Sequence, residues 1–229
     1  MTRLLLASVG LAAVAVAVGS ALAADMPPSR RLPPPRAPAY VPFFTWNGVY
    51  IGINAGYGFG RSTWTDTITQ VSTGSFAVNG ALIGGTVGYN VQFSSFVFGF
   101  EGDLDWSNIK GSTTTNCIST CETSNTWLGT GRGRVGYALD RFLPYFTAGV
   151  AFGDVKGSVT GLGSASQTKV GWTAGAGLEY AFVDHWTAKF EYLYVDLGTA
   201  TCSSGCTLVN PINMTFKTNI VRGGVNYKF

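Results

Sequence analysis

Three carboxylates stand two residues apart in the segment FVFGFEGDLDW, at Glu101, Asp103 and Asp105. Neighbouring carboxylates can act as a general acid and a general base, so the segment first suggests acid–base chemistry. The alternate positions from Phe96 to Trp106 are mostly aromatic or apolar. This alternation has the period of a β-strand, which places the three carboxylates on one face and the aromatic residues on the other.

The same alternation recurs along the chain, separated in turn by short links and long polar links. Short turns on one side and long loops on the other are typical of an outer-membrane barrel. We therefore predict an all-β fold, an eight-stranded antiparallel up-and-down transmembrane β-barrel. The predicted strands are 47–59, 81–93, 96–106, 126–139, 143–154, 170–182, 186–197 and 216–229; the predicted long loops are 60–80, 107–125, 155–169 and 198–215.

The N-terminal region predicts export. Arg3, an apolar run and the small-residue motif ALA at 21–23 predict a signal peptide over 1–23. Residues 24–45 are rich in proline and predict an extended periplasmic leader, and 46–229 form the predicted barrel. Beyond the signal no run of about 18 apolar residues occurs, so a spanning helix is not expected.

The composition agrees with a membrane barrel. Hydrophobic residues make up 46% of the chain and charged residues 12%, which is about half of the charged fraction usual in soluble domains. Aromatic residues concentrate near the ends of the predicted strands and frame an apolar band about 25 Å tall. The predicted girdle includes Phe96, Trp106, Trp127, Trp172 and Trp186. The net charge is only +3, and the sequence shows no basic patch of the kind that binds nucleic acid, so no nucleic-acid partner is expected.

Charged residues occupy the inward register, and the interior of an eight-stranded barrel is only wide enough for side chains. Buried charges must be paired and hydrogen-bonded, so five acids and five bases predict a salt-bridged plug. A conducting pore remains an alternative; a catalytic pair is less favoured because it needs an accessible pocket. The predicted lumen charge network comprises Glu101, Asp103, Asp105, Arg132, Arg134, Glu179, Lys189, Glu191, Arg222 and Lys228.

Four cysteines form two equal spacings, Cys117 with Cys121 and Cys202 with Cys206, and fit an oxidising compartment. Two local disulfides are favoured over one cross-loop pairing. A metal site is the weakest alternative, because the lone His185 lies elsewhere.

The chain resembles the small outer-membrane β-barrel surface antigens of Gram-negative bacteria, often called the porin family, with an OmpA-like barrel. The resemblance rests on repeated strand motifs over nearly the whole mature chain, among them WNGVYIGINAGYGFG, FVFGFEGDLDWS, GRGRVGYA, WTAKFEYLYVDLG and VRGGVNYKF. It implies that Phe229, with Tyr227 two residues before it, is the signal read by the barrel-assembly machinery.

Together these features predict a monomeric, non-enzymatic surface protein of the outer membrane with a structural role in the envelope. Its partners would be membrane lipid and the assembly machinery, with the leader in the periplasm and four long loops outside. A small-solute porin is the main alternative. Binding of a ligand or host surface by the loops is another; some members of the resembled family bind haem, but no haem-ligand pattern or other cofactor site is visible in the sequence.

Overall fold

The protein is a closed ring of eight antiparallel strands. The computed structural model describes residues 44–117, 119–202 and 211–229. Each strand pairs with its neighbours in sequence, and β1 pairs with β8 to close the barrel. The strands are β1 (Gly48–Asp66), β2 (Ser72–Phe93), β3 (Phe96–Thr113), β4 (Cys121–Tyr137), β5 (Phe142–Val159), β6 (Gly163–Val183), β7 (Trp186–Cys202) and β8 (Ile212–Lys228). The predicted fold class is confirmed.

Alternation along each strand separates an apolar outer face from the interior. Ile53, Phe100 and Trp106 are 72%, 76% and 78% exposed, whereas their immediate neighbours Asn54, Glu101 and Asp105 are buried. The period of two in the pleated strand explains this division. No helix in the described part of the chain is long and apolar enough to cross a membrane.

The predicted long loops are for the most part strand, and this prediction was wrong in extent. At the end of the barrel where the long loops were predicted, the strands are separated by 67–71, 114–120, 160–162 and 203–211; of these, 118 and 203–210 lie outside the described residues. The polar segments continue the barrel as hairpins; Thr65, for example, still pairs with Ser72. The sequence underestimates the strand lengths because the apolar alternation stops where the outer face becomes polar. Strands rich in Ser and Thr still pair through their backbone hydrogen bonds beyond that point.

The barrel interior contains three layers of side chains. A small apolar cluster of Trp46, Val97, Leu143 and Ala181 lies at the short-turn end. Buried charged and polar residues lie in the middle. A larger apolar cluster occupies the half nearer the long hairpins; its residues include Trp64, Val78, Ile109, Leu128, Val155, Leu193, Met214 and Phe216.

Candidate functional site: the barrel interior

Nine of the ten residues predicted for the lumen charge network are buried inside the barrel. Strand register explains the closest pairings: Glu101 stands opposite Arg132 on β3 and β4, and Glu191 stands opposite Arg222 on β7 and β8. The buried set contains four cations and five carboxylates: Arg132, Arg134, Lys189 and Arg222 with Glu101, Asp103, Asp105, Glu179 and Glu191.

Arg132 joins carboxylates from opposite sides of the ring. Its Nη1 donates to Glu191 Oε1 at 2.7 Å and its Nη2 donates to Asp103 Oδ2 at 2.7 Å. Nη2 also contacts Glu101, and Nε donates to Thr130 Oγ1 at 2.8 Å. The guanidinium therefore links β4 to β3 beside it and to β7 across the lumen.

Arg222 makes the second bridge across the lumen. Its Nη1 lies 2.8 Å from Asp105 Oδ2, and its Nη2 lies 2.9 Å from Asp103 Oδ2. The same Nη2 lies 2.8 Å from Glu191 Oε2. Because Arg132 also holds Asp103 and Glu191, these two carboxylates each bridge both arginines.

Two tyrosines that the sequence analysis did not single out belong to the same network. The Tyr50 hydroxyl donates to Glu101 Oε2 at 2.7 Å and accepts from Arg134 Nη1 at 3.0 Å. The Tyr145 hydroxyl donates to Glu191 Oε1 at 3.2 Å, and its ring lies 4.2 Å from the Arg134 guanidinium carbon. The sequence did contain a signal for both residues. Tyr50 lies two residues before Gly52 and Tyr145 lies two residues before Thr147, so each tyrosine has the same inward parity as a residue that faces the lumen.

The remaining buried charges are also paired. Arg134 Nη2 lies 2.6 Å from Glu179 Oε2, and Lys189 Nζ lies 2.9 Å from Glu101 Oε1. Glu179 also accepts from Thr187 Oγ1 and Asn226 Nδ2. Every carboxylate of the buried set therefore has a cationic partner within the lumen.

Lys228 differs from its predicted place in the lumen network. It is half-buried at the short-turn end, where its Nζ contacts the Thr45 carbonyl oxygen and lies 4.2 Å from the centre of the Phe44 ring. It forms no ion pair with any described residue. The reason is its height in the barrel, because it pairs with Tyr50 at the very end of the sheet, beyond the buried carboxylates.

The apolar layers lie directly above and below these charges. At the short-turn end, Trp46 Nε1 donates to the Asp140 carbonyl at 3.0 Å, and the Phe44 ring packs edge-on at 5.0 Å. On the hairpin side, Trp64 Nε1 donates to Thr123 Oγ1 at 2.7 Å. The apolar layer on the hairpin side, called the upper layer below, was missed in the sequence analysis, which placed Trp64, Val78 and Met214 in predicted loops. The signal in the sequence was the alternation of Phe76 and Val78, which are two residues apart and therefore lie on the same face of β2.

A β-bulge in β4 orients Trp127, which the sequence analysis assigns to the aromatic girdle. The register of β4 against β5 shifts between Ser124 and Leu128, and the Asp154 carboxylate fills the gap. Asp154 Oδ1 accepts from the backbone amides of Thr126 and Trp127 at 2.7 and 3.0 Å. Trp127 thereby stands opposite Trp106 and packs 6.2 Å from the Phe152 ring.

Replacing Asp154 with alanine is expected to lower the free energy of unfolding by about 1–3 kcal/mol, because the partly buried amides of Thr126 and Trp127 and the buried Asn125 Nδ2 would lose their acceptor. Asp154→Asn keeps one acceptor oxygen and is the matched control, with a smaller loss. Denaturant unfolding followed by tryptophan fluorescence measures both. Equal losses in the two variants would show that the amide hydrogen bonds are unimportant.

The other predicted residues are placed as follows. Trp172 packs 5.2 Å from Tyr194 near the hairpin side, and Phe96 packs 5.4 Å from Tyr137 at the opposite end. The Tyr227 ring lies 5.2 Å from both Trp186 and Phe229. The roles of these residues as a girdle and as an assembly signal remain predictions.

Cys117 and Cys121 form a disulfide at the tip of the β3–β4 hairpin. Cys202 is disulfide-bonded as well, and Cys206 lies outside the described residues. Within the described ranges no group of three or more His, Cys, Asp or Glu side chains could hold a metal ion. His185 lies in the short β6–β7 turn and stacks on Tyr227.

Comparison with known proteins gives the chain its family. A family model described as an outer membrane protein beta-barrel domain matches residues 9–229. The 31 kDa outer-membrane immunogenic protein of Brucella melitensis biotype 1 is 40% identical over 243 residues, which cover 97% of this chain and 99% of that protein. The 22 kDa outer membrane protein of Rhizobium leguminosarum bv. viciae is 37% identical over 157 residues, 68% of this chain and 66% of that protein.

Two solved structures are more distantly similar. Neisserial surface protein A is 16% identical, with a TM-score of 0.45 and coverage of 80% of this chain and 97% of that one. OprG from Pseudomonas aeruginosa is 15% identical, with a TM-score of 0.49 and coverage of 80% and 96%. The family match over most of the length, together with the closed eight-stranded ring, shows that this chain belongs to the outer membrane protein β-barrel family and is an outer-membrane surface protein.

Proposed function

We propose that the protein is a structural component of the outer membrane whose lumen is closed and whose exposed hairpin tips face the outside of the cell. The three-layered filling of the interior carries this proposal. Trp46 and its neighbours close one end, the ion pairs fill the middle, and the cluster around Trp64 and Phe216 fills the other half.

Physical arguments support closure over conduction. A hydrated ion crossing this barrel would have to enter two apolar layers, where loss of its water shell is costly. It would also have to displace guanidinium groups that already bridge two or three carboxylates. Such buried networks are stable only while every member stays paired, which favours a fixed interior. The same pairing leaves no accessible acid–base pair among the described residues of the lumen, which supports a non-enzymatic role.

The chain ends support the proposed orientation. Phe44, near the end of the predicted leader 24–45, and Trp46, the first residue after it, lie at the short-turn end beside Asp140 and Lys228. A periplasmic leader then requires that the short turns face the periplasm and the long hairpins face outward, as in outer-membrane barrels generally. The relatives named as immunogenic proteins fit exposure of those hairpins. We assign the predicted signal peptide 1–23 and the monomeric state to the same proposal.

The C-terminal strand supplies the proposed contact with the assembly machinery. The rings of Tyr227 and Phe229 pack edge to face at the short-turn end, where β8 pairs with β1 to close the ring. The recognition of these two residues during assembly is part of this proposal and rests on the family resemblance.

Conductance across a planar lipid bilayer tests closure of the lumen. The refolded protein, with folding checked by a heat-dependent gel shift, is expected to give no regular current steps. Arg132→Gln with Glu101→Gln removes charges from the middle layer and serves as the paired variant. Reproducible steps in the unsubstituted protein whose size or ion selectivity changes in this variant would contradict a closed lumen and establish a charged pore.

A further inference from the structure

Basic side chains form a belt on the outer face of the barrel, beside the aromatic girdle on the long-hairpin side. The belt consists of Arg61, Lys110, Lys156 and Lys217, which are all exposed. Lys110 and Lys156 flank Ser124 on the neighbouring strands β3, β4 and β5, and Arg61 stands directly opposite Lys217 on β1 and β8. Like charges facing each other across a strand pair are unfavourable unless an anion lies between them.

The available carboxylates only partly compensate these charges. Lys217 Nζ lies 3.1 Å from Asp196 Oδ2, while its side chain remains 51% exposed. Glu122 is also on the outer face near Ser124, on the next outward position of β4. Arg61 has no ion pair with any described residue. Its guanidinium therefore offers an unused binding group of the kind that pairs well with phosphate.

A groove on the outer face leads from the apolar band to Arg61 and Lys217. Its volume is about 470 Å³, and its lining includes Phe59, Tyr194 and Asn219 together with the two cations. Phe59 pairs with Asn219, and Asn219 pairs with Tyr194 on its other side. All three lie two residues closer to the short-turn end than the pair of Arg61 and Lys217. The groove therefore presents aromatic and amide side chains at its lower part, next to the apolar band, and cations at its upper part.

This order of chemistry matches an acylated molecule whose phosphate lies at the membrane surface. Acyl chains would lie along the apolar band below the groove. Sugar hydroxyls would meet Asn79 and Asn219 at the level of Phe59, and a phosphate would meet Arg61 and Lys217. Basic pockets at membrane surfaces bind lipid headgroups in this manner. The phosphorylated, acylated disaccharides of the outer leaflet of a Gram-negative outer membrane have this combination of groups.

We propose that the groove between β7, β8, β1 and β2 binds a phosphorylated glycolipid of the outer leaflet, with Arg61 and Lys217 holding a phosphate. This rests on the proposed orientation of the barrel, which places the long hairpins and the belt at the outer leaflet. The remaining belt residues, Lys110 and Lys156, lie outside the groove lining and supply only a general attraction for anions.

Native mass spectrometry of the folded full chain in detergent micelles tests the site with lipid A carrying two phosphates as the probe. Arg61→Gln with Lys217→Gln is expected to weaken binding of one lipid A molecule about tenfold. Lys110→Gln with Lys156→Gln removes the same charge from the same belt and is the matched control, with binding close to that of the unsubstituted protein. All four side chains are exposed, so both variants should keep the heat-dependent gel shift of the folded barrel.

Three results would overturn the proposal. The groove variant could bind as tightly as the unsubstituted protein, or both double variants could lose affinity equally, which would indicate general charge attraction. Equal binding of lipid A, dephosphorylated lipid A and phosphatidylglycerol would exclude a site for phosphorylated glycolipid. Binding in micelles depends neither on lumen conductance nor on orientation in the cell, so a failure here is distinguishable from a failure of the proposed function.

Discussion

Replacing Arg222 with methionine is expected to lower the free energy of unfolding by about 3–5 kcal/mol. Methionine fills a similar length without charge and leaves Asp103, Asp105 and Glu191 short of a cation. Asp105 would suffer most, because Arg222 is its only ion-pair partner among the described residues. In the lumen network, the excess of carboxylates over cations would rise from one to two.

Denaturant unfolding in one detergent, followed by fluorescence and by the gel shift, measures this cost. Arg141→Met is the matched control, because Arg141 pairs with Asp184 at the surface, where the two side chains are 38% and 69% exposed. An exposed pair contributes only about 0–1 kcal/mol. Adding Asp105→Asn to the Arg222 variant removes one stranded carboxylate and should restore part of the stability. Equal costs for Arg222→Met and Arg141→Met would mean that the lumen charges do not act as a network.

Replacing Phe216 with alanine should cost about 3–5 kcal/mol of unfolding free energy. Phe216 is fully buried in the upper apolar layer with Trp64 and Met214, although it lies at the edge of a segment whose sequence predicts a long loop. The loss would arise from the cavity that alanine leaves in a closely packed interior.

Ile68→Ala provides the comparison for this prediction. Ile68 lies in the 67–71 turn at the same end of the barrel and is 70% exposed, so its truncation should change stability by less than about 0.5 kcal/mol. Amide hydrogen exchange should then accelerate in β1 and β8 near Phe216 in the first variant alone. A similarly small effect for Phe216→Ala would show that the hairpin extensions are not a packed part of the barrel.

Local alternation in the sequence was enough to identify the eight strands and their outer faces. In FVFGFEGDLDW each residue's side follows from its parity, so the inward direction of Glu101, Asp103 and Asp105 needed no knowledge of distant residues. Short turns at Ser94 and Asp140 made neighbouring strands antiparallel, and both residues adopt positive φ. The pairing of β3 with β4 follows, and with it the proximity of Glu101 to Arg132.

Contacts across the lumen depend instead on how the ring closes. Arg132 reaches Glu191, and Arg222 reaches Asp103, only because barrel stagger places β3, β4, β7 and β8 at matching heights. The height of each side chain likewise separates Lys228 from the network and brings Tyr50 and Tyr145 into it. Alternation along a strand determines whether a side chain points into the barrel. The stagger and radius of the barrel determine which side chains from other strands it contacts there. For this reason the upper apolar layer became evident only in the closed barrel.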